Sequence, residues 1–211
     1  MNNIFKISAI ITAGGISARF GSNKLLEKSG KLSVIETTIL KFIDKVDEIV
    51  IPSTDETKEF ILKSNVFNDK ILFAPSGETR QKSVYNALQL CTGDIVLIHD
   101  GARPFISSET IVEAIEMTKK YKAVVVGKMA VDTIKRVEDG KIVETIDRNH
   151  IFQAQTPQCF ELNLIKSIHE KYKDSPDFTD DSSMAEAEGI NPIVLNVKGK
   201  NEKITVKEDL F

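Results

Sequence analysis

The chain has 211 residues, 41% of them hydrophobic and 28% charged, a balance ordinary for a globular protein with a sizeable core. Its formal net charge of -3 is spread over both signs, which excludes a basic stripe for nucleic acid or a membrane surface. No apolar run approaches the roughly 18 residues of a membrane-spanning helix. The start of the chain resembles a strand more than a secretion signal, so we expect a cytoplasmic protein.

The two cysteines have no spacing that suggests a zinc site or a disulfide framework. Cys91 and Cys159 both have apolar neighbours in the sequence. Free cysteine is among the most often buried residue types, so we expect both thiols to be reduced and buried.

Five short runs rich in β-branched residues are the first predicted elements. Each is bounded by turn residues, as is typical of strands buried on both faces: Ile7–Ile11, Glu48–Ile51, Lys70–Phe73, Asp94–Ile98 and Ala123–Val126. Between them apolar residues recur with helical period, as at Ile35, Ile39 and Phe42, and at Val84, Ala87, Leu88 and Cys91. The alternation predicts an α/β fold, a Rossmann-like and mostly parallel sheet with helices on both faces. Such sheets bind ligands outside the carboxyl ends of their strands.

One segment departs from this alternation of strands and helices. Residues 133–145 contain two short strands around Asp139-Gly140, a strong signal for a two-residue hairpin. The hairpin has too little apolar area to be stable alone, so it either packs on its own domain or reaches into a second subunit. The residues leave both possibilities open. We predict one domain over residues 1–211, with an excursion at 131–150.

The loop after the first strand is the most informative stretch for function. Ala13, Gly14 and Gly15 are small enough for backbone N–H groups to approach polyphosphate oxygens, and Arg19 and Lys24 add positive charge. The loop lacks the Gly-Lys-Ser/Thr of a Walker loop and the third glycine of a dinucleotide fingerprint. The alternative is a flexible loop with two solvated cations.

Three more loops place charge beside small residues at predicted strand ends. They are residues 77–83, residues 99–104, and residues 147–148 with 156–158. In this order the motifs resemble the 2-C-methyl-D-erythritol 4-phosphate cytidylyltransferase family of the non-mevalonate isoprenoid pathway, over essentially the whole chain. The most specific parts are His-Asp-Gly-Ala-Arg-Pro at 99–104, Asp-Thr-Ile-Lys at 132–135, Asp147-Arg148 with Gln-Thr-Pro-Gln at 155–158, and Lys-Ile-Thr at 203–205.

The resemblance implies a nucleotidyltransferase that joins CMP from CTP to a polyol phosphate, with Mg²⁺ bridging the CTP phosphates and residues 131–150 as the arm of a homodimer. It implies catalytic roles for Arg19, Lys24, Arg148 and Lys203. The nucleotide-binding residues would be Thr12, Ala13, Gly14, Gly15, Gly77, Glu78, Ser83 and Gly101. The substrate-binding residues would be Asp100, Arg103, Thr133, Arg148, Thr156 and Lys203. No residue is assigned as a metal ligand.

Departures from the family pattern occur at Ser17, Asn23 and Glu78, where the family usually has Gly, Pro and Asp. Two alternatives stay open: a ribitol-5-phosphate cytidylyltransferase, whose first loop is similar, and a nucleotide-binding protein without catalysis. Other polar residues favour structural interpretations. We expect non-catalytic roles for His99, His150 and His169, and a helix N-cap for Asp180 with Asp181.

Overall fold

The computed structural model describes residues 5–15, 20–175 and 178–210. The strands are β1 (Ile7–Thr12), β2 (Lys28–Ser29), β3 (Leu32–Ser33), β4 (Glu48–Ser53), β5 (Ile71–Pro75), β6 (Ile95–Asp100), β7 (Ala123–Met129), β8 (Ile134–Glu138), β9 (Lys141–Ile146), β10 (Phe152–Glu161) and β11 (Ile193–Asn196). The helices are α1 (Val34–Phe42), α2 (Asp55–Leu62), α3 (Arg80–Leu88), α4 (Ser108–Tyr121), α5 (Leu162–Lys171) and α6 (Asp181–Ala187).

A seven-stranded sheet in the order β11-β7-β10-β6-β1-β4-β5 forms the centre of the described chain. Strand β1 pairs in parallel with β4 and β6, β4 with β5, and β11 with β7. Strand β10 lies between β6 and β7 and runs antiparallel to both. The predicted α/β class with a mostly parallel sheet is confirmed. None of the helices in the described ranges is long and apolar enough to cross a membrane.

The five predicted strands are all present, although most extend a residue or two beyond the predicted bounds at their carboxyl ends. Strands β10 and β11 were not predicted. The N-cap at Asp180 is confirmed, since its carboxylate accepts a hydrogen bond from the Ser183 amide at 2.8 Å.

Apolar side chains pack on both faces of the sheet. One face is covered by α1, α2 and α4, which contribute Ile39, Ile61 and Ile111 to the core. The other face is covered by α3, α5 and α6. Each fully buried aliphatic side chain contributes roughly 1.5–3 kcal/mol to folding. Cys91 and Cys159 are buried free thiols, as predicted.

Strands β8 and β9 form a separate two-stranded sheet, the hairpin predicted from the sequence. Asp139 and Gly140 have φ angles of 48° and 74°, which match the turn that Asp-Gly favours. Apolar side chains of this hairpin are exposed, with Val137 at 55% and Ile142 at 66%. The hairpin therefore projects from the chain instead of packing on it.

Candidate functional site

A cavity of about 650 Å³ opens at the carboxyl ends of β1 and β6. The loop after β5, the start of α3 and the segment around Lys203 complete its wall. Ten of the residues predicted from the sequence line this one cavity: Thr12, Gly14, Gly15, Lys24, Gly77, Glu78, Ser83, Asp100, Gly101 and Lys203. The fold thus places them where parallel sheets bind ligands.

Close backbone packing shapes the floor of the cavity. A Cβ atom at Gly101 would lie 2.7 Å from the carbonyl oxygen of Thr12, and one at Gly14 would lie 2.7 Å from the Cβ of Ser76. The Gly101 amide donates to the Thr12 carbonyl at 3.1 Å. These glycines are therefore needed for the chain to close around the site, whether or not they also contact a ligand.

The loop before α3 is held by its own side chains. The Thr79 hydroxyl caps the helix by accepting from the Lys82 amide, and the Ser83 hydroxyl accepts from the Gly77 amide at 2.9 Å while donating to the Thr79 carbonyl. Glu78 is exposed at the rim of the cavity. The loop is therefore preformed, with Ser83 stabilising its shape.

Asn23, which replaces the family's usual proline, fixes the residues before Lys24. Its side-chain amide donates to Glu56 and Thr57 at 3.0 Å, and its side-chain oxygen accepts from the Leu25 amide at 3.3 Å. These bonds tie the turn that carries Lys24 to helix α2. Asn23 thus supplies by hydrogen bonding a restraint that proline would supply through its ring.

Asp100 is the electrostatic centre of the cavity wall. Its carboxylate accepts from the Lys203 ammonium at 2.7 Å and from Nε of Arg80 at 3.4 Å, and Nε of Arg103 lies 3.7 Å away. Burial raises the pKa of Asp100, but the charges of Arg80 and Lys203 outweigh it, so this pKa lies well below its usual range. Asp100 is therefore an anion held among three cations.

His99 is buried beneath Asp100, and its ring links two neighbouring residues by hydrogen bonds. Its Nε2 lies 3.1 Å from the Arg103 carbonyl, and its Nδ1 lies 3.2 Å from the hydroxyl of Thr156. Burial lowers the pKa of His99 to about 4, so the ring is neutral, and we assign Nε2 as donor and Nδ1 as acceptor. This arrangement supports the predicted non-catalytic role of His99.

Three predicted residues lie beside the cavity and not in its wall. Ala13 is buried in the core, and its amide donates to the Pro52 carbonyl at 2.9 Å. Arg103 donates to the Asn201 carbonyl at 2.7 Å. Thr156 is buried and accepts from the Asp100 amide at 3.0 Å. The structure shows the protein contacts that position these residues, and the ligand contacts expected of them stay predictions.

Thr133 and Arg148 are exposed and flank the projecting hairpin, outside the cavity wall of their own chain. A guanidinium nitrogen of Arg148 donates to the Val131 carbonyl. Arg19 and Ser17, which the sequence analysis singled out, lie outside the described residues, so their predicted roles stay predictions.

Arg80 is not among the site residues that the sequence motifs predict. This residue lines the cavity and pairs with both Asp100 and Asp181, the latter at 2.8 Å. One signal was available, since Arg80 is the first residue of α3, where the helix dipole disfavours a cation. An arginine there indicates compensating carboxylates from elsewhere in the fold.

An α/β sheet whose strand ends gather cations, glycines and a hydrogen-bonded loop is suited to bind the phosphates of a nucleotide. Comparison with known proteins places the chain among the nucleotidyltransferases. The model of the family IspD, 2-C-methyl-D-erythritol 4-phosphate cytidylyltransferase, matches residues 7–211. The chain therefore belongs to this family, as the sequence motifs indicated.

Individual relatives agree over nearly the full length. The 2-C-methyl-D-erythritol 4-phosphate cytidylyltransferase of Clostridioides difficile is 42% identical over 214 residues, which cover 96% of this chain and 90% of the relative. Among solved structures, the enzyme of that name from Francisella tularensis is 34% identical with a TM-score of 0.81, covering 97% of this chain and 96% of the other. The 4-diphosphocytidyl-2C-methyl-D-erythritol synthase of Anaerococcus prevotii is 30% identical with a TM-score of 0.83, covering 97% and 94%.

Proposed function

We propose that the chain transfers CMP from CTP to 2-C-methyl-D-erythritol 4-phosphate, giving the 4-diphosphocytidyl alcohol and pyrophosphate for isoprenoid precursor synthesis. The observation that carries this proposal is the gathering of Lys24, Lys203, Asp100 and the glycine-rich first loop around one cavity, in a chain of this family. The cavity's volume of about 650 Å³ lies within the range of small-ligand sites, roughly 300–1,000 Å³.

The reaction needs positioning and charge stabilisation more than covalent help from the protein. An oxygen of the polyol phosphate attacks the α-phosphorus of CTP, the new oxygen–phosphorus bond forms, and the bond to the β-phosphate oxygen breaks. Pyrophosphate leaves with the electron pair of that bond. The attacking oxygen is already anionic, so no general base is required, and the neutral His99 needs no part in the proton balance.

The cations of the cavity are suited to this displacement. Lys24 and Lys203 lie in its wall and offer ammonium groups to phosphate oxygens, while Arg19 would add a third cation from the first loop. Removing one such group from a developing charge typically reduces the rate by about a hundredfold or more. Gly15, whose Cβ would meet nothing within 4 Å among the described residues, leaves its backbone open to the nucleotide.

Mg²⁺ is the metal that fits this proposal. No cluster of three or more His, Cys, Asp or Glu side chains suited to a metal occurs in the described part of the chain. Mg²⁺ commonly keeps several waters and binds through substrate phosphates, so the triphosphate would supply its ligands in the cavity. The ion would neutralise phosphate charge. Asp100 is already paired with Arg80 and Lys203 and is not needed to hold the ion.

The exposed hairpin is proposed to form a homodimer arm. Its apolar residues Val137, Ile142 and Val143 are exposed, as is Val131 beside it at 79%. Such a surface supports association with a second copy, which would bring Thr133 and Arg148 toward the partner's cavity. The enzyme is proposed to act in the cytoplasm.

Pyrophosphate release with CTP and Mg²⁺ tests the function. We expect turnover with 2-C-methyl-D-erythritol 4-phosphate and a much lower kcat/KM with ribitol 5-phosphate. Preference for ribitol 5-phosphate would replace the substrate assignment. CTP binding with pyrophosphate release at background for both alcohols would replace the enzymatic function with nucleotide binding alone.

A further inference from the structure

A line of alternating charges runs from the interior to the cavity. Nη1 of Arg80 donates to Oδ2 of Asp181 at 2.8 Å, and Nε of Arg80 donates to Oδ1 of Asp100 at 3.4 Å. On the far side of Asp100, Oδ2 accepts from Lys203 at 2.7 Å. We call Asp181, Arg80 and Asp100 the charge bridge.

The inner end of the bridge is fully enclosed. The side chains of Asp181 and His169 are each only 1% exposed, and Nε2 of His169 lies 3.1 Å from Oδ1 of Asp181. Burial would raise the pKa of Asp181, but the charge of Arg80 and the contact with His169 lower it to about 2. Asp181 is therefore a buried anion whose main counter-charge is Arg80.

Helix capping does not account for this buried anion. Asp180 caps α6, so the carboxylate of Asp181 is not used as the cap and pairs with Arg80 instead. Within the described residues, Nη2 of Arg80 and Nδ1 of His169 are buried without a hydrogen-bond partner. A buried pair with incomplete hydrogen bonding is a poor way to gain stability, which favours a role in the site.

The bridge assigns the two oxygens of Asp100 to different cations. Arg80 engages Oδ1, while Oδ2 faces Lys203 at 2.7 Å and Nε of Arg103 at 3.7 Å. Without Arg80, the whole charge of Asp100 would fall on Lys203 and Arg103, and the carboxylate could turn to bind Lys203 with both oxygens. A lysine neutralised in this way attracts phosphate less strongly.

We infer that Arg80, anchored by Asp181, is a positioning residue that orients Asp100 and keeps the Lys203 ammonium available to the phosphate of the acceptor alcohol. This inference rests on the proposed function for its choice of substrate. Arg80 begins α3, directly after the loop expected to hold the nucleotide, so the bridge also links the nucleotide half of the cavity to the acceptor half.

Steady-state kinetics of D181N and R80K test the bridge. D181N keeps the size of the anchor without its charge, and R80K keeps the charge but cannot span two carboxylates. We expect each to raise the KM for the acceptor phosphate by about tenfold or more, with the KM for CTP changed less than about threefold. The matched control E109Q removes an exposed first-turn carboxylate from α4 and should behave as wild type. If the KM values for the acceptor phosphate and for CTP rose equally, and the Tm of the variants fell as well, Arg80 and Asp181 would have a merely structural role.

Nuclear magnetic resonance titration of the Asp100 carboxyl gives a readout that needs no turnover. The groups that face it are Arg80 from α3, Lys203, Arg103, and His99 below. In R80Q the ¹³C resonance of the Asp100 carboxyl should titrate at a higher pH than in wild type, because a cation beside it is lost. In D181N the midpoint of this titration should also change, because Arg80 loses the carboxylate that anchors it. An unchanged midpoint in both would overturn the inference. Absence of wild-type turnover would overturn the proposed function instead, and the titration would still decide the bridge.

Discussion

The backbone amide of Asp100 donates a hydrogen bond to the hydroxyl of Thr156 at 3.0 Å, deep in the fold. The same hydroxyl lies 3.2 Å from Nδ1 of His99. This geometry makes Thr156 a support for the carboxylate that faces the cavity. The substrate contact that the family resemblance implies for Thr156 stays a prediction. Strand β10 thereby fixes the end of its neighbour β6.

Replacement of Thr156 by valine tests this support. The valine keeps the shape but leaves the Asp100 amide and the His99 ring without their partner, so the free energy of unfolding should fall by about 1–3 kcal/mol. Denaturant unfolding measures this loss, and T156S, which keeps the hydroxyl, should restore most of it. Equal stability of T156V and wild type would contradict the hydrogen-bond assignment.

His99 should make stability depend on pH in the mildly acidic range. Its pKa is lowered from 6.5 to about 4 by burial, so between these values the unfolded chain binds a proton that the native ring does not. The wild-type free energy of unfolding should therefore decrease, relative to H99Q, by about 3 kcal/mol as the pH falls through this window. Parallel curves of unfolding free energy against pH for the two proteins would contradict the assignment.

Lys203 should be needed for catalysis in a way that its neighbour Lys207 is not. Both are on the segment that closes the cavity, but only Lys203 contacts Asp100 and lines the wall. K203Q should lower kcat/KM by about a hundredfold, because it removes a cation from developing phosphate charge. K207Q is the matched control and should retain wild-type kinetics. Similar rates for the two variants would remove Lys203 from the mechanism.

The packing of Gly101 predicts a steric effect that is distinct from chemistry. In G101A the new Cβ would meet the Thr12 carbonyl at 2.7 Å, so the ends of β1 and β6 must separate and the Tm should fall. A Cβ at Gly15 meets nothing within 4 Å among the described residues, so G15A should leave the Tm of the free protein unchanged. Thermal unfolding without ligand compares the two, and equal Tm losses would argue against this account.

The proposed homodimer, with Arg148 exposed beside the hairpin, predicts complementation between subunits. Arg19→Ala alone should reduce the rate by about a hundredfold or more, since Arg19 is expected to face transition-state charge. Dimers mixed from R19A and R148A subunits should recover part of the wild-type rate, because one of their two shared sites would be intact. No recovery in a verified mixed dimer would contradict the shared site.

Much of the fold could be predicted because local patterns sufficed. Strand β1 is a short β-branched run, and Asp139-Gly140 specifies its own turn. Strand β10 was not predicted, because its central positions carry Thr156, Pro157 and Gln158, residue types that are typical of a loop. Gln158 is buried only because Asp180 and Ser182 satisfy its side-chain amide. Those partners come from another part of the chain, beyond the reach of any local pattern.

The candidate site, too, could be predicted from the sequence only in part. Glycines and lysines next to strand ends pointed to the cavity, since the geometry of a parallel sheet brings those ends together. The sequence did not indicate the charge bridge, because Arg80 and Asp181 are 101 residues apart. They meet because α3 packs on α5 and α5 packs on α6. Likewise, the sequence placed Ala13, Arg103 and Thr156 near the site but could not show the hydrogen bonds that each makes within the fold.

A crystal structure of the protein with CTP and 2-C-methyl-D-erythritol 4-phosphate, in a variant such as R19A to slow turnover, would show where both substrates bind. We expect the triphosphate in the cavity at the ends of β1 and β6, within reach of Lys24, and the acceptor phosphate beside Lys203. Nucleotide bound on another face, with this cavity left to solvent, would contradict the account.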